Sequence, residues 1–205
     1  MTLKLFHSPA SPFVRKVLVC AHEKGVIAEI EKLPSQAWPV KRDPDIVRHN
    51  PSGQVPTALA EDGSALYDSR VICAFVDTMS DDVPLLPSDH KARFAAMTLE
   101  ALADTVLGAA LLCRYEKVLR PEEFYWGLWH DSQMEKVDSG LDELEDRWME
   151  TLNGSITIGT IAIACALGYL DFRFSDKDWR KAHPKLAAWY EKFSARPSMK
   201  ATMPG

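Results

Sequence analysis

The stretch "LKLFHSPASPFVRKVLVCAHEKG", residues 3–25, changes its hydrophobic period halfway along. "LKLFHS" alternates apolar and polar residues, as a short strand does. From Pro12 onward, Phe13, Val14, Val17, Leu18 and Ala21 fall on one helical stripe, which Gly25 closes. Between the two lies a turn holding Ser8, Pro9, Ser11 and Pro12. Ser11 directly before Pro12 reads as an N-cap followed by proline at the first helical position. Such a turn is either a plain capped helix or a place where a hydroxyl and free helix amides face an anion.

The next segments extend this strand–turn–helix unit. "VIAEIEKL" (26–33) predicts a second strand, and residues 34–54 read as irregular with a short helix near "DPDIVRHN". "VPTALAEDGSAL" (55–66) predicts a hairpin turned by Glu61, Asp62 and Gly63. Asp68 and Ser69 lead into "RVICAFVDTM", where Val71, Ile72, Phe75 and Val76 mark a one-faced helix. The order β-α-β-(α)-β-β-α implies a small sheet covered by helices over residues 1–78. "MSDDVPLLPSDH" (79–90) has no periodicity and suits a linker. Beyond it, residues 91–205 predict only helices: Lys91–Arg120, Glu122–Leu152, a buried helix over Ile156–Phe172, and Pro184–Ala195. The expected architecture is an α/β domain followed by an all-helical domain.

Composition narrows the function. The chain has 205 residues, a net charge of −5 and no run of basic residues, so a nucleic-acid surface has little support beyond local patches and no nucleic-acid partner is expected. The first residues lack the apolar core of a secretory signal, and the apolar stretch ending at Leu170 is short for a bilayer, so a cytoplasmic protein away from membranes is expected. Cys20, Cys73, Cys113 and Cys165 are far apart among apolar neighbours. They fit core packing, and neither a disulfide framework nor a metal site follows from their spacing.

Three features of the first domain could converge. One is the turn at Ser11. A second is "NPSGQVP" (50–56), where Pro56 opens a strand and forces Val55 to be extended. A cis Val55–Pro56 bond would expose the Val55 amide and carbonyl to an extended ligand backbone. The third is Asp68–Ser69, a carboxylate and a hydroxyl at a helix start. Singly these are caps and a turn proline; in this order they suggest a peptide-like ligand bearing both an ammonium and a carboxylate.

"SPFVRKV", "NPSGQVP" and "YDSRVI" resemble, in order and spacing, the glutathione site of the glutathione transferase family. "ITIGTIAIACALGYLDFR" and "HPKLAAWYEKFSARPSM" resemble that family's buried helix and C-terminal helix, so the similarity spans nearly the whole chain. It is nearest to bacterial members with a serine at the catalytic turn. The resemblance implies a thioredoxin-like N-terminal domain, glutathione as co-substrate, no metal, a homodimer and a role in detoxification. It implies that Ser11 donates a hydrogen bond to the glutathione sulfur and that Val55, beside a cis Pro56, pairs with the cysteinyl backbone. Asp68 and Ser69 would hold the γ-glutamyl end, with Gln54 beside the groove. Lys41 is the candidate for the glycine carboxylate, with Arg42 and His49 as alternatives. Pro9, Ala10, Phe13, Leu111, Arg114 and Tyr115 are the candidates for a second-substrate pocket between the domains.

Related thiol-redox proteins carry C-P-x-C where this chain has Ser11, Pro12, Phe13 and Val14, so disulfide exchange is disfavoured. The rival reading keeps the fold and the glutathione but not the turnover: a stress-response interaction module. The buried helix is expected to be weakly capped, because Thr160 stands where the family has an acidic residue three positions after Thr157.

Overall fold

The computed structural model describes residues 1–204. In the first unit β1 (Leu3–His7) leads through the Ser8–Ser11 turn into α1 (Pro12–Glu23). α1 ends as its composition predicts: Gly25 adopts φ +68°, and the Val26 amide turns back to the Ala21 carbonyl at 2.9 Å. That closing turn continues into a 3-10 turn, Ile27–Glu29, so β2 is confined to Ile30–Pro34. The expected strand over 26–33 is therefore corrected at its start.

α2 (Pro44–Val47) is capped by Asp43, whose carboxylate accepts from the Asp45 amide at 3.0 Å. β3 (Thr57–Leu59) and β4 (Ala65–Leu66) form the hairpin, with Gly63 at φ +82° in its turn. α3 (Ser69–Asp77) follows, with Asp68 as N-cap.

The sheet order is β2-β1-β3-β4, β1 and β2 parallel and the other pairs antiparallel. Its register decides where the loops lie. His7 stands beside Pro34, Phe6 beside Thr57, and Leu66 beside Ala58. The exits of β1, β2 and β4 and the entrance to β3 thus share one end of the sheet, the carboxyl end where open α/β sheets bind ligands.

Leu3, Leu5, Val14, Val17, Leu18, Ile72 and Val76 form this unit's core. Lys24, at the end of α1, is also buried there, its Nζ 3.3 Å from Asp77 Oδ1 and 2.8 Å from the Asp82 carbonyl. Asp77 also accepts from the Leu85 and Leu86 amides, at 2.7 and 3.0 Å, so one buried ion pair clasps the segment after α3.

The chain from Arg196 onward groups with this unit, whereas the sequence boundary placed it in the helical domain. Two contacts explain the correction: Arg196 forks onto Glu23 at 2.8 and 2.7 Å, and Arg15 donates to the Met199 carbonyl at 3.1 Å. This end includes a short helix, α10 (Pro197–Ala201), which Pro197 opens.

The second unit, residues 89–195, is helical. α4 (His90–Val118) is long and apolar enough to cross a bilayer, yet half of its apolar window is buried within the fold, along with Glu100 and Glu116. α5 (Gly127–Arg147) and α6 (Met149–Leu152) replace the continuous helix expected over 122–152; the break is at Trp148. α7 (Ile158–Arg173) is buried along nearly its whole length. α8 (Trp179–Ala182) and α9 (Pro184–Ser194) complete the unit.

Two glycines set the helix spacing here. A Cβ on Gly159 would lie 2.5 Å from the Ala96 carbonyl oxygen, and one on Gly140 2.5 Å from Val106 Cγ2. The N-terminus of α7 closes without an acidic residue. Thr157 Oγ1 accepts from the Thr160 amide at 3.3 Å, and Thr160 Oγ1 accepts from the Thr157 amide at 2.9 Å. Two hydroxyls make the reciprocal cap in place of a hydroxyl and a carboxylate. All four cysteines are buried thiols outside any disulfide.

Candidate functional site

Ser11 is extended (φ −82°, ψ 120°), as an N-cap requires, and its Oγ accepts from the Val14 amide at 3.3 Å. Pro12 has no N–H, and the Arg15 amide is taken by the Ser11 carbonyl at 3.0 Å. The Phe13 amide and the Ser11 hydroxyl hydrogen are thus left with no acceptor among the described residues. Both sit at the positive end of a 12-residue helix, half-buried. His7, at the end of β1, has its imidazole pKa lowered by burial and then by Lys32, which keeps it neutral near pH 7.

The Val55–Pro56 bond is cis. The loop before it is held from below by a buried network that sequence inspection missed. Asn50 Nδ2 donates to Thr57 Oγ1 at 2.8 Å, and Thr57 Oγ1 donates to the Gln54 carbonyl at 2.8 Å. Asn50 Oδ1 accepts from the amide and hydroxyl of Ser52. Asn50 opens the quoted "NPSGQVP" motif, and an asparagine before proline was the available signal. Val55 itself is half-buried, and its amide and carbonyl are bonded to no described residue. Gln54 is exposed and Pro56 is buried.

Asp68 follows a second cis bond, Tyr67–Asp68, and caps α3 with Oδ1, which accepts from the Arg70 amide at 2.9 Å. Its other oxygen makes no hydrogen bond to a described residue, nor does the hydroxyl of the buried Ser69. Lys41 lies in a turn closed by paired Trp38 and Lys41 backbone groups, and its side chain is exposed. Of the alternatives, Arg42 donates to the Pro51 carbonyl and packs beside Gly53 (φ +66°), while His49 lies 6.1 Å from the Phe6 ring.

The strand register brings the Ser11 turn, Val55–Pro56 and Asp68–Ser69 to the same end of the sheet. That end offers an amide and a hydroxyl at a helix start, an unpaired extended residue, and a carboxylate beside a hydroxyl. Pro9, Ala10 and Phe13 lie in and after the same turn, with Phe13 6.0 Å from Lys16 Nζ. In the helical unit Leu111, Arg114 and Tyr115 are half-buried on α4, and burial raises the Tyr115 phenol.

Family comparison agrees with this architecture. Residues 10–79 match the glutathione S-transferase N-terminal domain and residues 127–192 the glutathione S-transferase C-terminal domain. An uncharacterized GST-like protein of Escherichia coli K12, YibF, is 35% identical over 205 residues, covering 98% of each chain. A glutathione transferase family member from Pseudomonas fluorescens Pf-5, solved with bound glutathione, is 46% identical with a TM-score of 0.97, covering 100% of both chains. A second structure from that organism, solved with S-(propanoic acid)-glutathione, is 45% identical with a TM-score of 0.93 over 100% of both chains. The α/β unit is thioredoxin-like, and the chain belongs to the glutathione S-transferase family.

Proposed function

We propose that the protein is a glutathione transferase that joins the glutathione thiol to small hydrophobic electrophiles, with Ser11 as hydrogen-bond donor to the thiolate. The observation that carries this reading is the pair of unused donors at the start of α1, the Ser11 hydroxyl and the Phe13 amide. A free cysteine thiol titrates near ~8.5, and each unit of lowering is worth about 1.4 kcal/mol of preference for thiolate. Charge-assisted donation and the positive helix end supply effects of that order. Ser11 then needs no base, because it stabilises an anion rather than attacking. The glutathione found in the Pseudomonas fluorescens relatives supports the same ligand here, and the propanoic acid on its sulfur in one of them supports a second-substrate space beside the sulfur.

In this reading the backbone of Val55 pairs with the cysteinyl residue of glutathione beside Pro56 and Gln54. Asp68 and Ser69 meet the γ-glutamyl ammonium and carboxylate, and Lys41 meets the glycine carboxylate. Pro9, Ala10, Phe13, Leu111, Arg114 and Tyr115 line the second-substrate pocket. A cytoplasmic homodimer acting in detoxification completes the proposal.

The test is an ultraviolet difference titration of the protein with glutathione across pH, following thiolate absorbance. Ionisation of the bound thiol well below its free value supports activation at Ser11. Binding with an unshifted thiol rejects catalysis and leaves a glutathione-binding module.

A further inference from the structure

The backbone of Gln54 is held on both sides. Its amide donates to Ser52 Oγ at 3.3 Å, and its carbonyl accepts from Thr57 Oγ1 at 2.8 Å. The protons of this network have one arrangement. Asn50 Oδ1 faces the Ser52 amide at 3.0 Å and must accept, so Asn50 Nδ2 is the donor to Thr57 Oγ1 at 2.8 Å. The single hydrogen of the Thr57 hydroxyl then goes to the Gln54 carbonyl. Asn50 Nδ2 also reaches that carbonyl, but at 3.5 Å, which makes it the weaker hold. Thr57 is itself fixed: it is fully buried, opens β3 and is registered against Phe6 of β1.

The Gln54–Val55 peptide is trans, and a trans peptide is planar, with its C=O and N–H on opposite sides. A carbonyl turned onto Thr57 therefore turns the Val55 N–H away from Thr57. That N–H is bonded to no described residue. The sheet thus sets Thr57, Thr57 sets the Gln54 carbonyl, and the carbonyl sets the direction of the Val55 amide.

We propose that Thr57 is a positioning residue for glutathione, its hydroxyl aiming the Val55 N–H at the carbonyl of the ligand's cysteinyl residue. The inference rests on the reading above, in which the Val55 backbone pairs with that residue, and it names the side chain that prepares the pairing. Thr57 does this without touching the ligand. It fixes an amide before the ligand arrives, so that binding does not have to order it. Without the hydroxyl the Gln54 carbonyl loses its nearer partner, and the peptide plane can turn toward another.

The experiment compares the native protein with Thr57→Val, which keeps the branched side chain and removes the hydroxyl, and with Thr57→Ser, which keeps the hydroxyl. Glutathione affinity is measured by calorimetry, and the Val55 amide is followed by proton–nitrogen NMR with and without glutathione. Glutathione should move the Val55 amide proton downfield in the native protein and in Thr57→Ser, but not in Thr57→Val. Thr57→Val should bind glutathione roughly tenfold more weakly, about 1.4 kcal/mol, and Thr57→Ser within about threefold of the native protein.

Urea midpoints separate lost stability from lost binding. A lower midpoint for Thr57→Val with unchanged affinity and an unchanged Val55 shift makes the hydroxyl a purely structural group and overturns the inference. Equal weakening by both variants assigns the effect to packing and also overturns it. Where Thr57→Val does not fold, the residual dipolar coupling of the native Val55 N–H decides, because it reports direction: a value unchanged by glutathione supports an amide aimed in advance, and a changed value overturns it. Glutathione binding that leaves the native Val55 amide unmoved removes this inference alone, with Ser11 still serving the thiol. Failure to bind glutathione removes the transferase reading and this inference together.

Discussion

The Val14 amide donates to Ser11 Oγ at 3.3 Å, and the Ser11 hydroxyl hydrogen is bonded to no described residue. One side chain thus has two separable duties, because capping uses a lone pair and sulfur stabilisation would use the proton. Ser11→Ala removes both. Loss of the cap costs about 1 kcal/mol, within a usual range of roughly 0.5–2. Urea unfolding should show a loss of that size, and glutathione binding should persist through the other contacts. The bound thiol should then ionise near its free value, with conjugation falling accordingly. An Ser11→Ala protein that unfolds more easily but keeps a lowered thiol pKa would assign the activation to the helix end alone.

A second prediction concerns the buried Lys24–Asp77 pair, whose side chains are 1% and 9% exposed. Removing one partner of a buried ion pair strands the other and costs about 3–5 kcal/mol. The two halves are not equivalent, because Asp77 also accepts the Leu85 and Leu86 amides. Asp77→Ala should therefore destabilise more than Lys24→Met in urea unfolding. The double variant should recover part of the Asp77→Ala loss, because it no longer strands the lysine charge, but not all of it, because the Leu85 and Leu86 amides stay unpaired.

The contrast between these two sites shows what could be read from the sequence. Ser11 and Asp68 were legible because an N-cap is a local device: a short polar residue before an apolar-periodic run suffices to locate it. The β-α-β-(α)-β-β-α order followed from the same kind of signal. Contacts between segments distant in sequence were not legible. Lys24 against Asp77, Asn50 beneath the Val55 loop, and Arg196 against Glu23 all depend on the fold that brings them together. The misplaced boundaries have a local cause. The turn that closes α1 absorbed Val26 and led into 3-10 geometry before β2, and Pro197, ahead of which α9 ends, goes on to open the further short helix α10.

Glu23 supplies a prediction in pH. The Arg196 hydrogen bond, followed by that of Ser198 against the cost of burial, holds its carboxyl below the ordinary glutamate value. The unfolded chain therefore takes up the proton first. Glu23's contribution to stability is full above the unfolded pKa of about 4.3 and is lost as pH falls through the folded value. Glu23→Gln should be less stable than the native protein at pH 7, and the gap should narrow in acid. Parallel urea titrations at pH 7 and below pH 4 would measure it. A gap that stays constant with pH would mean that the carboxylate's charge contributes nothing.

The close approach of α7 to α4 at Gly159 gives the last prediction. A methyl group there would lie 2.5 Å from the Ala96 carbonyl oxygen and 2.7 Å from Leu99 Cβ. The first of these is backbone and the second is the root of its side chain, so neither can move without shifting the helix. Overpacking of this kind costs about 1–3 kcal/mol. At Gly140 the obstructing atom is a terminal methyl of Val106, which has more room to adjust. Gly159→Ala should accordingly lower the thermal midpoint more than Gly140→Ala, although alanine favours both helices by about 0.8–1.0 kcal/mol in propensity. If Gly159→Ala proves neutral or stabilising, α7 has freedom to slide on α4, and the close approach at Gly159 does not fix the spacing of the two helices.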